Sequence, residues 1–308
     1  MPEVLTSTID MDREEWLEQR RRGIGGSDAA AIAGLNPWRS PIEVYLDKVG
    51  EMPEQEDNER MYWGRVLEDV VAREFTARTG KRVRRRNAIL HHAKHDFMIA
   101  NVDRLLVGEG VGLECKTTSE YAKDQWADDE VPDMYILQCQ HYMAVTGFKG
   151  WWIAVLIGGN EFVYKYIERD QDIIDYLIQI ESEFWGMVQN KVPPAVDGSD
   201  SSDIVLKMLY PEAEPETETI LPAEAEDLIG QYETAIADEK GAKYRKDEAS
   251  NKLKALLGTY ETGKAGDRLV TWKTVKSNRL DSNALKKAHP DIYIEFAKES
   301  SYRRFLIK

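Results

Sequence analysis

Asp103-Arg-Leu-Leu-Val-Gly-Glu-Gly-Val-Gly-Leu-Glu-Cys-Lys116 is the stretch on which the reading of this chain turns. It reads as two short apolar strands joined by a turn rich in glycine, at Gly108, Gly110 and Gly112. Side chains alternate along a strand, so Glu114 and Lys116 share one face while Leu113 and Cys115 point to the other. Folding the two strands into a hairpin brings Asp103 beside Glu114. Two carboxylates and an ammonium converging at one end of a small sheet suit a hard divalent cation and an activated water. The same pattern also occurs by chance on solvated hairpins, so the rest of the chain has to weigh on it.

Composition sets the frame. The chain has 308 residues, 42% hydrophobic and 31% charged, which is enough to bury a substantial core as one large or two smaller domains. No apolar run reaches membrane-spanning length and the start has no basic-then-apolar signal, so a cytoplasmic location and no membrane partner are expected. Cys115 and Cys139 are the two cysteines. Both sit in apolar segments, which predicts reduced core thiols and excludes an all-cysteine metal site. The formal net charge of -14 is unevenly spread. Basic residues gather at Arg20–Arg22, Lys81–Arg86 and Arg303–Arg304, acidic ones between Asp197 and Asp227, and clustered cations keep nucleic acid open as a partner.

Outward from the hairpin, residues 12–22 predict a short helix capped by Asp10 or Asp12. Gly23-Ile-Gly-Gly-Ser27-Asp28 then reads as a turn, with Ser27 or Asp28 as N-cap of the Ala-rich helix that follows. Locally this is either a plain helix–turn–helix corner or an anion pocket, with Asp28 arguing against phosphate if its charge is unpaired. A helix is expected from Pro41 to Val49, then a polar loop over residues 52–58. A long amphipathic helix runs from Glu59 to Thr79, its apolar side carrying Val66 or Leu67, Val70, Val71 and Phe75, with Glu68 beside it. Strands are expected at 83–90, 97–100, 103–107 and 111–116, a helix at 135–145, and a hairpin of Trp151–Ile157 with Glu161–Ile167. A helix capped by Asp170 or Asp172 closes the unit.

That order predicts an α/β domain over residues 1–195 with a mixed sheet between helices. An acidic linker is expected at 196–222. Residues 223–308 are expected to form a long charged helix and a small α/β tail, with strands at 267–275 and 304–307, for assembly or partner docking.

Several motifs occur in one order: Trp16-x-x-x-Arg20 with Gly-Ile-Gly-Gly-Ser27-Asp28, Trp63-Gly64-x-x-x-Glu68, Asp103 with Glu114-Cys115-Lys116, and Gln138-x-Gln140-x-Tyr142. Together they resemble the YqaJ-like viral recombinase nucleases, relatives of the phage lambda exonuclease, over roughly residues 12–190. The resemblance implies a PD-(D/E)XK restriction-endonuclease-like core and Mg²⁺- or Mn²⁺-dependent hydrolysis of DNA. Carried over by position, Asp103, Glu114 and Glu68 with the Cys115 carbonyl match metal ligands. Lys116 matches the motif lysine, Gln138 the glutamine of the next helix, and Arg20 and Ser27 a 5′-phosphate pocket. Arg84, Arg85 and Arg86 offer themselves as backbone contacts or as mere decoration of an edge strand. Val102 stands where the motif has proline, and Asn101 where a lambda-like enzyme has serine.

The implied function is a 5′-to-3′ exonuclease that acts on duplex DNA ends and leaves 3′ single strands for an annealing partner. The implied setting is a bacterial host cell with a phage or prophage origin, and the implied assembly a homo-oligomer, a trimer by resemblance. The competing readings are a structure- or sequence-specific endonuclease on the same core, and a catalytically silent DNA-end-binding module that recruits recombination proteins.

Overall fold

A computed structural model describes residues 3–52, 58–298 and 301–307. The chain divides into two compact units, one ending at Leu209 and the other starting at Tyr210. In the first, β1 (Glu3–Ser7) is followed by helices α1 (Arg13–Arg21), α2 (Gly26–Ile32), α3 (Pro41–Val49) and α4 (Glu59–Thr79). Strands β2 (Val83–Arg85), β3 (Ala88–His91), β4 (Ile99–Asn101), β5 (Arg104–Leu106) and β6 (Gly112–Thr118) come next. A 3₁₀ turn (Glu120–Trp126) leads to α5 (Asp133–Thr146), β7 (Gly150–Ile157), β8 (Glu161–Glu168), α6 (Gln171–Asn190) and α7 (Asp200–Leu209).

Two sheets result. A five-stranded one runs β2-β5-β6-β7-β8, all pairs antiparallel except the parallel β6–β7, and a three-stranded one runs β1-β3-β4. The Asp103–Lys116 hairpin therefore forms the centre of the larger sheet. Its turn is possible because Gly108 and Gly110 take positive φ, where a Cβ is strained.

Both faces of β6 are covered, as its place in the middle of the sheet requires. Leu113 and Cys115 pack with Val71, Ala72 and Phe75 of α4. Glu114 points the other way, toward α5. α4 has the bounds its sequence predicts, opened by the Asn58 side chain on the Met61 N–H and closed by Gly80 at φ 70°. Its buried side is narrower than expected: Val66 and Val70 are exposed, and Val71, Ala72 and Phe75 do the packing.

α5 is locked from beneath by His141. Its Nδ1 lies 2.8 Å from Glu181 Oε1 on α6 and its Nε2 lies 2.9 Å from the Ile99 carbonyl. Both partners can accept, so a doubly protonated, charged imidazole satisfies both contacts. Burial works against that charge, but Glu181 outweighs it and holds the His141 pKa above its ordinary value.

Several expectations need correction. The strand expected over residues 83–90 is two strands in different sheets, broken at Arg86-Asn87, where the Asn87 carbonyl accepts the Thr8 N–H. α2 is capped by Gly25, not by Ser27 or Asp28; the Asp28 side chain accepts the Gly25 N–H from the third helical position. The first unit does not stop at 195. α7, inside the stretch expected to be linker, packs on α3 with Val205 fully buried and Ser201 Oγ bonded to the Ser40 N–H. Asp12 caps α1 and Asp170 caps α6. Residues 53–57 of the expected polar loop lie outside the described residues.

The second unit holds α8 (Glu224–Leu257), a hairpin of β9 (Thr262–Ala265) with β10 (Arg268–Thr271), and short helices α9 (Ser282–Ala288) and α10 (Pro290–Phe296). Residues 304–307, expected as a strand, have no regular structure. Among the described residues no helix is long and apolar enough to cross a membrane.

Candidate active site

A cleft of about 850 Å³ brings together residues from the N-terminal helices and the centre of the sheet. Arg20, Ser27 and Arg39 line one part; Glu68, Asp103, Glu114 and Lys116 line the other. The chain's topology makes this possible. The segment entering α2 runs beside β4, with the Ile24 N–H on the Phe97 carbonyl and the Ile99 N–H on the Ile24 carbonyl.

At the carboxylate end, the register Arg104↔Leu113 sets Asp103 next to Glu114, as the hairpin reading predicts. Asp103 Oδ2 accepts the Cys115 N–H at 2.8 Å, so the first carboxylate is fixed by the backbone of the strand that carries the second. Glu114 Oε1 receives Lys116 Nζ at 2.6 Å and Gln138 Nε2 at 2.8 Å. Gln138 also donates to the Tyr142 hydroxyl at 2.8 Å, which anchors the glutamine from one turn further along α5. Glu114 Oε2 is buried without a hydrogen-bond partner. Burial, then the charges of Glu114 and Glu68, push the Asp103 pKa well above the carboxylate range. Burial opposes the charge on Lys116, but Glu114 and Asp103 outweigh it and raise its pKa. This end carries more negative charge than its lysine neutralises.

Glu68 stands nearby but is engaged elsewhere. Arg104, buried on β5, pairs with Glu68 and with Asp69 of α4, and Asp69 also receives Arg85. Among the described residues no three His, Cys, Asp or Glu side chains gather into a metal-binding cluster. Two carboxylates, Asp103 and Glu114, do converge. Mg²⁺ and Mn²⁺ take oxygen ligands, and Mg²⁺ keeps several waters while using one or two carboxylates, so this pair with the unpartnered Oε2 fits such an ion. The Cys115 thiol does not belong to the set. It packs against the α4 cluster, and burial followed by the Asp103 and Glu114 charges drives its pKa up, away from thiolate.

At the arginine end the charges are closed. Arg20 Nη2 donates to Ser27 Oγ at 3.0 Å and its guanidinium lies 4.8 Å from the Trp16 ring. Asp28, fully buried below them, meets Lys48 Nζ at 2.7 Å and Arg39. Burial alone would raise the Asp28 pKa; Lys48, Arg39 and Arg20 overcome it and hold the carboxylate well below its ordinary range. The charge that seemed to argue against an anion pocket is therefore neutralised from within. Gly26 lets the loop lie on α5: a Cβ there would come within 2.5 Å of Tyr142 Cε1.

Arg84, Arg85 and Arg86 do not line this cleft. Arg84 is exposed on the edge strand β2, and Arg85 and Arg86 line a smaller neighbouring groove of about 340 Å³ that shares Glu68 and Asp103.

Arg39, Lys48, Asp69 and Arg104 escaped sequence reasoning. Arg104 had a readable signal: it alternates with Leu105 and shares its face with Leu106, so a charge there must be buried and paired. Lys48 had none, because one lysine near the end of an amphipathic helix is ordinary.

Comparison with known proteins bears on the family and the fold. Residues 15–149 match the model of the YqaJ-like viral recombinase domain. The uncharacterized protein YqaJ of Bacillus subtilis (strain 168) is 45% identical over 310 residues, covering 99% of this chain and 97% of that protein. Uncharacterized protein R354 of Acanthamoeba polyphaga mimivirus is 24% identical over 151 residues, 45% of this chain and 27% of its own. The fold is similar to the crystal structure of an alkaline exonuclease (LHK-Exo) from Laribacter hongkongensis, at TM-score 0.50 and 21% identity over 58% of this chain and 94% of that one. The mixed five-stranded sheet flanked by helices is the PD-(D/E)XK core expected from the sequence. The chain belongs to the YqaJ-like viral recombinase family.

Proposed function

We propose that this chain is a metal-dependent exonuclease that degrades one strand of linear duplex DNA from its 5′ end. It leaves 3′ single strands for recombination by strand annealing. The observation that carries the reading is that one cleft holds both a carboxylate–lysine end and a cationic end with its internal charges already balanced.

Arg20 and Ser27, which both line the cleft, supply a guanidinium and a hydroxyl to a terminal 5′-phosphate. The scissile phosphate then lies toward Asp103 and Glu114. A bound Mg²⁺ or Mn²⁺, held by Asp103, Glu114 and the Cys115 carbonyl, would activate a water and offset charge on the phosphate. Lys116 adds a fixed positive charge there, aimed by Glu114. Gln138 holds Glu114 Oε1, so the carboxylate keeps one orientation. Glu68 Oε1 is held by Arg104, which leaves Oε2 as the oxygen through which Glu68 would join this set. Trimeric assembly and delivery of the single strand to an annealing protein belong to the same proposal.

The test is digestion of linear duplex DNA bearing 5′-phosphate or 5′-hydroxyl ends, with Mg²⁺ or with EDTA, beside a circular duplex. Loss of the 5′-phosphorylated strand in Mg²⁺ alone, with the circle intact, is expected. Nicking of the circle would replace the reading with an endonuclease; tight end binding without cutting would replace it with a recruiting module.

A further inference from the structure

Helix α8 spans about 50 Å at 1.5 Å per residue. Leu257 is its buried residue. Two patterns on α8 stay largely outside the packing of the second unit. The first is an exposed stripe with steps of three and four at its ends and of seven in its middle, where Glu239 and Lys246 occupy the intervening positions. Leu228 and Tyr232 stand at one end and Leu253 and Leu256 at the other, with Ala235, Ala242 and Ala249 between them at seven-residue intervals. Leu228 is 60% exposed and Leu256 84%. The second is charge. Residues 224–239 carry Glu224, Glu226, Asp227, Glu233, Asp238 and Glu239 and no basic residue. Residues 240–257 carry Lys240, Lys243, Arg245, Lys246, Lys252 and Lys254 against Asp247 and Glu248.

We propose that this face of α8 pairs antiparallel with α8 of a second copy of the chain, a copy from another trimer because three helices cannot pair off two by two, the acidic stretch of each helix lying on the basic stretch of the other. A seven-residue apolar repeat is the seam of a two-helix pair, and alanines along it let the backbones approach. Charge decides the direction. A parallel pair would set acid against acid and base against base, whereas reversal makes both halves complementary. The stripe also has the symmetry that a two-fold pair demands. Glu239 and Lys246 flank Ala242, so centring the pair there sets Glu239 of one copy by Lys246 of the other. The same centring lays the Leu228–Tyr232 end on the Leu253–Leu256 end. At the acidic end Phe305 stands edge-on to Tyr232 at 5.7 Å, extending the apolar rim.

The test uses the full chain with Ala242→Cys under copper-catalysed air oxidation at low salt, the parent with Cys115 and Cys139 giving the background. A disulfide-linked dimer is expected from Ala242→Cys. Leu228→Cys alone should not cross-link, but mixed with Leu256→Cys it should. Adding Glu239→Lys or Lys246→Glu to Ala242→Cys should cut the yield at least about five-fold, and the double exchange should restore it, because opposite charges meet again. Circular dichroism confirms that the helix persists in each variant. Self-cross-linking of Leu228→Cys would mean a parallel pair and overturn the proposal. So would no Ala242→Cys dimer, or a dimer that ignores both charge reversals.

Discussion

At one end of the cleft Asp28 is fully buried and faces Lys48, Arg39 and Arg20; at the other, Asp103 and Glu114 share one lysine. The first end is electrostatically finished by the fold itself. Its carboxylate is held ionised, its cations are spoken for, and Arg20 remains turned to the cleft beside Ser27. The second end is unfinished. Asp103 is pushed toward its neutral form by its neighbours and Glu114 keeps an oxygen without a partner. Closed charges make a rigid floor under a binding loop; an open deficit of positive charge makes a place for an ion. The comparison predicts that substitutions at the first end act on stability and end recognition, and substitutions at the second on turnover.

The largest effect belongs to Lys116→Ala. A fixed charge aimed at the reacting phosphate typically accounts for about 10²–10³ in rate. The expected result is a loss of that order in kcat with DNA binding retained, measured by gel digestion and by a filter-binding titration in Ca²⁺. Unchanged turnover would erase the distinction between the two ends.

Asp28→Ala comes next and strikes the opposite end. Removing one partner of a buried ion pair leaves Lys48 uncompensated, at a cost of about 3–5 kcal/mol. Urea unfolding should show that loss, and Asp28→Ala with Lys48→Met should recover part of it. The pH dependence has a definite sign. The folded Asp28 pKa lies below its ordinary 3.8, so its contribution is complete above that value and is lost as the pH falls through the lower folded pKa. Wild-type stability should therefore drop below about pH 4 more steeply than that of the double variant.

Much of this was legible in the sequence where local pattern and global position agree. The Asp103–Lys116 hairpin, the bounds of α4 at Asn58 and Gly80, and the β7–β8 pair all follow from alternation, caps and glycine turns. What was not legible depended on long-range choice. Residues 83–91 favour strand throughout, and nothing local says that β2 joins β5 while β3 joins β1 and β4. α7 hides in an Asp- and Ser-rich stretch because its helix is justified only by the α3 surface that receives Val205. In the site, the motif positions could be named but their connections could not. That Glu68 is held by Arg104, or that Asp28 is neutralised by Lys48 and Arg39, comes from residues far apart in the chain.

Arg20→Ala separates recognition from chemistry. Its hydrogen bond to a charged phosphate is worth about 1.5–3 kcal/mol. The preference for 5′-phosphate over 5′-hydroxyl ends should therefore fall by about 10- to 100-fold, while turnover on 5′-hydroxyl DNA stays the same. Paired kcat/KM measurements on the two ends check this. An equal loss on both would mean that Arg20 serves the reacting phosphate instead.

The smallest change tests whether the two ends communicate. Gly26 lies on Tyr142, and Tyr142 holds Gln138, which holds Glu114. A methyl at position 26 would sit 2.5 Å from Tyr142 Cε1, too close for either group to stay in place. Overpacking of this kind costs about 1–3 kcal/mol, and which partner yields decides where that cost is felt. Tyr142 is wedged against Trp151 with ring centroids 5.2 Å apart and is bonded at its hydroxyl, whereas Ser27, next to Gly26, borders the open cleft. The loop should therefore give way. Gly26→Ala is expected to weaken 5′-phosphate preference by a few-fold and leave turnover on 5′-hydroxyl DNA within about two-fold, since a rigid floor localises the strain. Equal losses on both ends would show that the strain passes through Tyr142 to Glu114, making the arginine loop and the carboxylates one mechanical unit.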